Sequence, residues 1–495
     1  MILSVFKKAP CGVSFSFKNL SVLSIFAATL EQMLKMVYII LANTFLEAFM
    51  ESVSFNVNKS FDCDVLVIGG GAAGVAAAVS AAEEGAKVIL AEQNGYLGGT
   101  ATASMVGPFM TCLNTDGTKQ IIKGFFDRLV RRMEQEGGAI HPTRATVGTS
   151  QTAYRTAGHI GVTPFDSECL KRVSEEMCIE SGVKILYHLM FMGAENQNGN
   201  ITCAYFATKG GVFKISAKVF IDCTGDADVA YNCGVPCTFG DGKGEVQVAS
   251  LFFRIKGIDK EKVDKHMAEI TDMRKRYYMD EIEYERSMGN FPIGRNKIMF
   301  FEEPGGYWRV NMAQVDNVDP NSPESMTDAE LISRKQIVYI INFLKKYVVG
   351  CEKVELVDSA PVLGIRESRH VEGDYVLTLQ DVTDGVKFED SVVCCANSLD
   401  IHRNGYVEYI TRKSNEPYYI PYRSLIAKNT HNLLVAGRCI SAQRVVLAAV
   451  RVIPPCMAMG EAAGKAAARA VKANTSIRNI DAVSLSKEQL EIHLG

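Results

Sequence analysis

The chain has 495 residues, a formal net charge of −3 and 14 cysteines; 47% of its residues are hydrophobic and 22% charged. That length is too great for one small domain and predicts two or three, with ample apolar content for a large core. The near-neutral balance, with no basic stripe, argues against nucleic-acid binding. The cysteines are scattered apart from Cys394–Cys395 and the neighbours Cys233 and Cys237, and no CxxC or zinc-type spacing occurs. No metal site, iron–sulfur cluster or disulfide framework is expected, and scattered thiols point to a reducing, cytoplasmic setting.

Residues 1–60 read as an N-terminal extension. Two apolar runs, NLSVLSIFAATL and MVYIILANTFL, are separated by Glu31 and Lys35. Each has about a dozen residues, short of the ~20 that span a bilayer as a helix, so no membrane span is expected. Lys7, Lys8 and Lys18 precede an apolar run, as in a signal peptide, but neither a small-residue cleavage site nor a twin-arginine signature follows. From Met50 the chain enters its first strand at the usual distance. Residues 1–49 therefore read as an over-extension of the true start or a loosely attached arm.

The stretch Asp64 to Glu92, DVLVIGGGAAGVAAAVSAAEEGAKVILAE, carries the first chemistry. VLVI is a fully apolar strand closed by glycine, as in the buried first strand of a parallel sheet. Gly69, Gly71 and Gly74 form GxGxxG: one for the tight turn, one for close approach to a pyrophosphate, one for helix–strand packing. A helix follows from about Ala72 to Glu84, its N-terminal N–H groups at Ala72 and Ala73 free for phosphates. AKVILAE is the second strand, and Glu92 and Gln93 stand where an acid accepts hydrogen bonds from an adenosine ribose. This establishes a dinucleotide site without separating NAD from FAD. Next come Gly98, Gly99 and Thr100, a small-residue turn suited to a longer cofactor, where an NAD domain would proceed to another strand and helix.

Thr163–Pro164 and Asp166 predict a helix start, ending near Gly182. VKILYHLMFMGAE and ITCAYFATK read as strands around the Asn-Gly turn NQNGN. KVFIDCTGDADVA is a further strand, returning Gly225 and Asp226 to the carboxyl edge where ligands bind in open α/β sheets. HNLLVAGRCISA closes on Gly437 and Arg438. RVIPPCMAMGEAAGKAAARAV begins a helix at Pro454–Pro455 with small residues including Gly460 and Gly464, able to approach a planar ring closely.

In this order, GGGAAG, LGGTAT, DCTGDADVA, GIRESRHVEGDYVLT and NLLVAGRCISA…RVIPPCMAMGEAAG resemble the FAD-dependent oxidoreductase family with a glutathione-reductase-type FAD domain. The core is also similar to that of the flavin-carrying component of heterodisulfide reductase, without its ferredoxin-like cysteines. The resemblance spans about residues 61–475 and implies FAD as cofactor. It implies that Gly69, Gly71, Gly74 and Glu92 serve the ADP half, Gly98 to Thr100 and Gly225–Asp226 the phosphates and adenine, and Gly437 and Gly460 the flavin end. Arg444 stands where many relatives carry a histidine, which removes histidine as the proton-transfer group there.

Residues 240–400 lack a second GxGxxG, so no NAD(P)H domain of the disulfide-reductase type is expected. TDAELISRKQIVYIINFLKKY reads as an amphipathic helix with a capping box of Thr327 and Glu330. KIMFF, YWRVNMA, KVELVDSA and YVLTL read as strands, and DPNSPESMTD as a surface loop. Arg366, Arg369, His370 and His402 are candidates for substrate chemistry, since an arginine near a flavin can anchor a carboxylate; salt bridges on a charged turn explain them as well. Tyr418, Tyr422 and Arg423 are further candidates for a cleft wall.

The expected architecture is α/β: a discontinuous Rossmann-like FAD domain (61–239 and 401–480), an interleaved α+β substrate-side domain (240–400) and a tail (481–495). The expected function is an FAD-dependent oxidoreductase acting on a small-molecule substrate, with Arg366, Arg369, His402 and Arg444 as catalytic candidates. Two alternatives stand beside it. One is an electron-transfer flavoprotein serving an iron–sulfur protein partner, marked by an exposed apolar patch on residues 240–400. The other is a plain NAD-dependent dehydrogenase.

Overall fold

The computed structural model describes residues 54–110, 112–144, 162–402, 406–410, 412 and 416–495. The chain divides into Met1–Asn56 and a compact unit from Val57 to Gly495. The expectations for residues 1–49 lie outside the described residues.

In the compact unit, β1 (Val57–Ile68) leads into α1 (Ala72–Glu83) and β2 (Val88–Ala91). Then follow α2 (Ser167–Glu180), β3 (Lys184–Leu186), β4 (Met190–Gln197), β5 (Asn200–Thr208) and β6 (Gly211–Asp222). These strands form one sheet ordered β3-β2-β1-β6-β5-β4. β1 is parallel to β2 and β6, and β2 to β3, which is why Val65 to Ile68 are buried on both faces. β4, β5 and β6 form an antiparallel meander, turned at Asn198 and Gly199, both with positive φ. The Asn-Gly signal is thus borne out. β1 starts at Val57 and pairs with Val212 to Lys214, so residues 57–60 are strand rather than extension. Asp166 is the N-cap of α2, accepting from the Cys169 N–H at 2.7 Å; Thr163 and Pro164 lie before the helix instead of in its first turn.

The middle of the chain holds β7 (Cys237–Phe239), β8 (Phe253–Lys256), β9 (Phe300–Glu302), β10 (Trp308–Val310), α3 (Pro323–Tyr347), β11 (Glu355–Ser359) and β12 (Arg369–Val371). An antiparallel sheet ordered β11-β8-β10-β9 shares a core with α3 through Phe253, Ile255, Val310, Ile337, Ile340 and Leu344. We call this the cap. α3 starts one turn earlier than expected. Ser322 caps it, Pro323 opens it, and the pair is the stronger start signal. Thr327 lies inside the helix, its hydroxyl donating to Pro323 O, and Glu330 accepts from Leu363 N–H, so they form no capping box. Part of DPNSPESMTD is therefore helix. YVLTL is not a strand: Leu377 makes one isolated bridge, and Thr378 caps the helix Leu379–Asp384.

The chain returns with β13 (Ser391–Cys395), β14 (Leu399–His402), β15 (Val407–Ile410), β16 (Tyr418–Pro421), β17 (Leu433–Val435), α4 (Ile453–Lys472) and α5 (Ala482–Leu494). β17 lies parallel to the C-terminal part of β6, pairing Val435 with Asp222. β13, within the stretch assigned to the substrate-side domain, belongs to the core around α1 and α4, while the cap core ends at Leu363. The expected tail is helical because Leu485, Gln489 and His493 are buried and Ser486 Oγ donates to Ser391 O at 2.7 Å. The described cysteines are free thiols, all but Cys237 buried. Among the described residues no single helix is long and apolar enough to cross a membrane.

α4 crosses α1 backbone against backbone. A Cβ at Gly460 would stand 2.0 Å from Ala73 O, and one at Gly464 2.2 Å from Ala77 O. Gly464→Val should therefore destabilise the unit by about 1–3 kcal/mol or more. Thermal unfolding should register a fall of several degrees, and an unchanged midpoint would contradict the packing.

Candidate active site

The turn from β1 into α1 is built to leave room. Gly69 has φ +97°, and a Cβ there would lie 2.5 Å from Cys223 O, so only glycine fits. Gly71 is the N-cap of α1 and no side chain caps the helix. A Cβ at Gly71 would meet nothing nearer than Gly99 Cα at 3.7 Å, so the space above the turn is open. The unsatisfied N–H groups and positive dipole end of α1 therefore face a cavity. Glu92, 5% exposed, braces this turn: Oε2 accepts from Gly70 N–H (2.6 Å), and Oε1 from Asn94 N–H and Nδ2 (2.7 Å each). Burial pushes its pKa up and these hydrogen bonds pull it back. Its carboxylate retains lone pairs for a ribose hydroxyl.

Opposite lies the turn after β6. Asp222 is fully buried and accepts from Thr224 N–H and Oγ1 through Oδ1, and from Val229 and Ala230 N–H through Oδ2, at 2.8–3.1 Å. Burial raises its pKa and the four donors oppose that. The next turn is tied to β17: Arg438 donates to Gly225 O (2.8 Å) and pairs with Asp226 (2.6 Å).

These turns line one cavity of about 1350 Å³ that continues to the cap residues Tyr277, Lys297, Met299 and Met326. Drug-sized ligands occupy pockets of roughly 300–1,000 Å³, so there is room for a dinucleotide and a second small molecule. Of the expected cofactor residues, Gly69, Gly71, Ala72, Ala73, Glu92, Gln93, Gly99, Thr100, Gly225, Asp226, Gly437 and Arg438 line it. Gly74, Gly98 and Gly460 do not. Gly74 packs on Gly69 O, Gly98 on the Thr102 side chain, and Gly460 on the α1 backbone rather than on a cofactor ring.

Of the catalytic candidates, Arg366, Arg369 and His402 line the cavity. Arg366 donates to Val248 O (2.6 Å) and Ser250 Oγ (2.8 Å). Arg369 is paired with Asp228 at 2.8 Å and lies over the Tyr231 ring. His402 Nε2 stands 3.4 Å from Asp400 Oδ2. Burial and four surrounding cations hold His402 well below the usual imidazole range. Arg444 is displaced from the site. It holds buried Glu367 with two hydrogen bonds, 2.7 and 3.0 Å, because that acid would otherwise be uncompensated. His370 is buried outside the cavity lining, Tyr418 and Tyr422 are core residues, and Arg423 pairs with Asp390. Sequence reading missed Arg295, Lys297, Asp400, Arg451 and Tyr409, all of which line the cavity. Only Asp400 left a trace, two residues from His402 and so on the same face of β14.

The model of the family described as FAD dependent oxidoreductase matches residues 64–490. The chain belongs to that family and is an FAD-dependent oxidoreductase with a Rossmann-type nucleotide-binding fold. A stretch of 47 residues is 57% identical to 4-oxocyclohex-2-ene-1-carboxylate 5-dehydrogenase of Sinomonas cyclohexanicum, covering 10% of this chain and 8% of that protein. Another of 53 residues is 45% identical to thiamine thiazole synthase of Aeropyrum pernix, covering 11% and 20%. The matches thus span no more than a fifth of either curated relative. Among solved structures, a geranylgeranyl bacteriochlorophyll reductase-like protein from Thermoplasma acidophilum is 13% identical, with a TM-score of 0.43 over 88% of this chain and 83% of that one. The p-nitrophenol 4-monooxygenase of Pseudomonas putida is 12% identical, with a TM-score of 0.43 over 88% and 87%.

Asp222→Asn keeps the shape at the second turn but replaces one accepting oxygen by a donor, facing backbone N–H groups. The loss should be at least about 2 kcal/mol of stability, with weakened FAD retention. Urea unfolding and flavin content after dialysis measure both, and a variant equal to the parent in both would show that this turn does not depend on Asp222.

Proposed function

We propose that this enzyme moves hydride or an electron pair between FAD and a small organic substrate held in the same cavity. The observation that carries the reading is that the glycine turn of β1–α1 and the cap residues Tyr277, Lys297, Met299 and Met326 line one continuous space. Bound FAD supplies the two-electron redox chemistry that side chains lack. Three features fit it: the uncapped α1 N-terminus, the open volume over Gly71, and the brace of Glu92 beside the adenosine end. Gly69, Gly71, Ala72 and Ala73 would hold the pyrophosphate, and Glu92 and Gln93 the ribose. Gly99, Thr100, Gly225 and Asp226 would flank the phosphates and adenine, with Gly437 and Arg438 at the flavin end.

On the substrate side, Arg366 and His402 are the proposed catalytic residues. Arg366 orients the substrate, and the imidazole of His402 is the group placed to accept a proton. Arg369 has its charge met by Asp228 and acts as wall. Arg444 is a positioning residue: Glu367 also accepts from Gln247 N–H (2.8 Å), whose Oε1 accepts from His402 N–H (3.1 Å) and Arg451 (3.0 Å).

A second reading has one observation in its favour. Leu331, Ile332, Val338 and Tyr339 are exposed on α3, the kind of apolar face that docks a protein partner for electron transfer.

The two readings separate in anaerobic reoxidation of the dithionite-reduced holoenzyme by a panel of small ketones, keto acids and α,β-unsaturated carboxylic acids, read at the flavin band. Substrate chemistry predicts saturable reoxidation by a subset of the panel. Met326→Trp, which fills the cavity, should slow it about tenfold or more, while Val338→Asp should leave it unchanged. Reoxidation blocked by Val338→Asp and indifferent to Met326→Trp would give the function to the α3 face. NADH should reduce the flavin slowly and without saturation, because no second GxGxxG is present; fast saturable bleaching by NADH would refute that.

A further inference from the structure

We infer that the substrate carries an oxyanion group, bound at the cap end of the cavity by Lys297 together with Arg295, Arg366 and Arg451. This rests on the reading that the cavity holds a substrate beside FAD. The charges lining the cavity are segregated. In its middle, Arg438 is matched by Asp226 and Arg369 by Asp228, so that region is neutral. Glu92 lies at the far end, engaged by Gly70 and Asn94. At the cap end Arg295, Lys297, Arg366 and Arg451 line the cavity beside Asp400. Arg451 donates to Arg366 O (3.2 Å) and to Gln247 Oε1 (3.0 Å), which also accepts from the backbone N–H of His402 (3.1 Å), so these groups stand together.

Lys297 makes no hydrogen bond or ion pair with a described residue; its Nζ lies 5.4 Å from the centre of the Tyr277 ring. Burial, with Arg295 nearby, lowers its pKa, the mark of an ammonium short of compensating negative charge. Lys297 is half-buried, and desolvating an ammonium without a counter-charge carries a cost that a bound anion would offset. The fixed negative charge of FAD is its pyrophosphate, which the α1 turn accounts for, so the counter-charge must come from the second molecule. Planar guanidinium forks suit a carboxylate or a phosphate, the shared chemistry being two or more acceptor oxygens. Binding such an anion would also relieve the cations around His402 and make its imidazole a better proton acceptor at the moment substrate arrives.

The test is a titration of the FAD-loaded protein at fixed ionic strength with malonate, inorganic phosphate and neutral malonamide, read as the flavin difference spectrum. A saturable change with malonate or phosphate, and none with malonamide, is expected, and the anion that titrates identifies the group. Lys297→Met should weaken that anion about tenfold or more while FAD content and thermal midpoint stay at parental values, and Lys297→Arg should restore most of the affinity. Failure of both anions with full FAD occupancy, or an unchanged dissociation constant in Lys297→Met, overturns the anion site alone. A chain that takes up no FAD overturns the underlying reading as well.

Discussion

The site depends on how closely α1 and α4 approach, and that approach depends on the absence of side chains at a few points. Ala73 is met from two sides. A Cβ at Gly460 would collide with its carbonyl, and one at Gly437 would press to 3.3 Å on its methyl group. The N-terminus of α1, the glycine at the end of β17 and the start of α4 are thereby held together, although they come from opposite ends of the compact unit. Each contributes to the cavity, through Ala72 and Ala73, Gly437, and Ile453 and Cys456. Gly464 against Ala77 extends the contact by one turn, so the two helices cannot slide without a backbone clash. Packed cores tolerate little added volume, which makes this crossing a rigid frame for a long cofactor.

Buried charge is used in two distinct ways around that frame. Where a carboxylate meets backbone N–H groups, as Asp222 and Glu92 do, it fixes the shape of a turn. Where a buried pair closes on itself, as Arg309 and Glu303 do, it joins layers: Arg309 also donates to Phe165 O and Ser167 Oγ, binding the cap to the start of α2. Such pairs add little net stability, but breaking one leaves an uncompensated charge, so they hold geometry. The cap end of the cavity departs from both patterns. There Lys297 lines the cavity with no hydrogen bond or ion pair to a described residue, a position that the proposed anion would compensate.

How much of this was legible in the sequence follows from what is local. The β1–α1 turn, Glu92, the Asn-Gly hairpin and the strand closing on Gly437 announce themselves within a few residues, since each is a turn or cap with its own chemistry. Gly460 was readable as a close-approach glycine, but its partner was not: Ala73 becomes its neighbour only when the distant segments fold together. The start of α3 was misread because Thr327 and Glu330 imitate a capping box while the real cap, Ser322–Pro323, stands one turn earlier. Lys297 and Arg451 were invisible for a different reason. Neither lies in a motif, and a cation looks like surface until tertiary structure folds it into a cavity wall.

Arg444 shows the limit of carrying a role across a family by position. The family resemblance drew attention to this position, yet the side chain turns to Glu367 and does not line the cavity. Its influence reaches the site only through Glu367 and Gln247, which hold the backbone of His402 and the guanidinium of Arg451. The histidine that does face the cavity comes from β14, on the return from the cap to the FAD domain. On the proposed reading, proton handling by His402 and anion recognition lie on neighbouring parts of one wall, since the backbone of His402 and the guanidinium of Arg451 share Gln247 Oε1. An anion bound there would offset the cations that lower the pKa of His402 and so would raise its basicity by electrostatics.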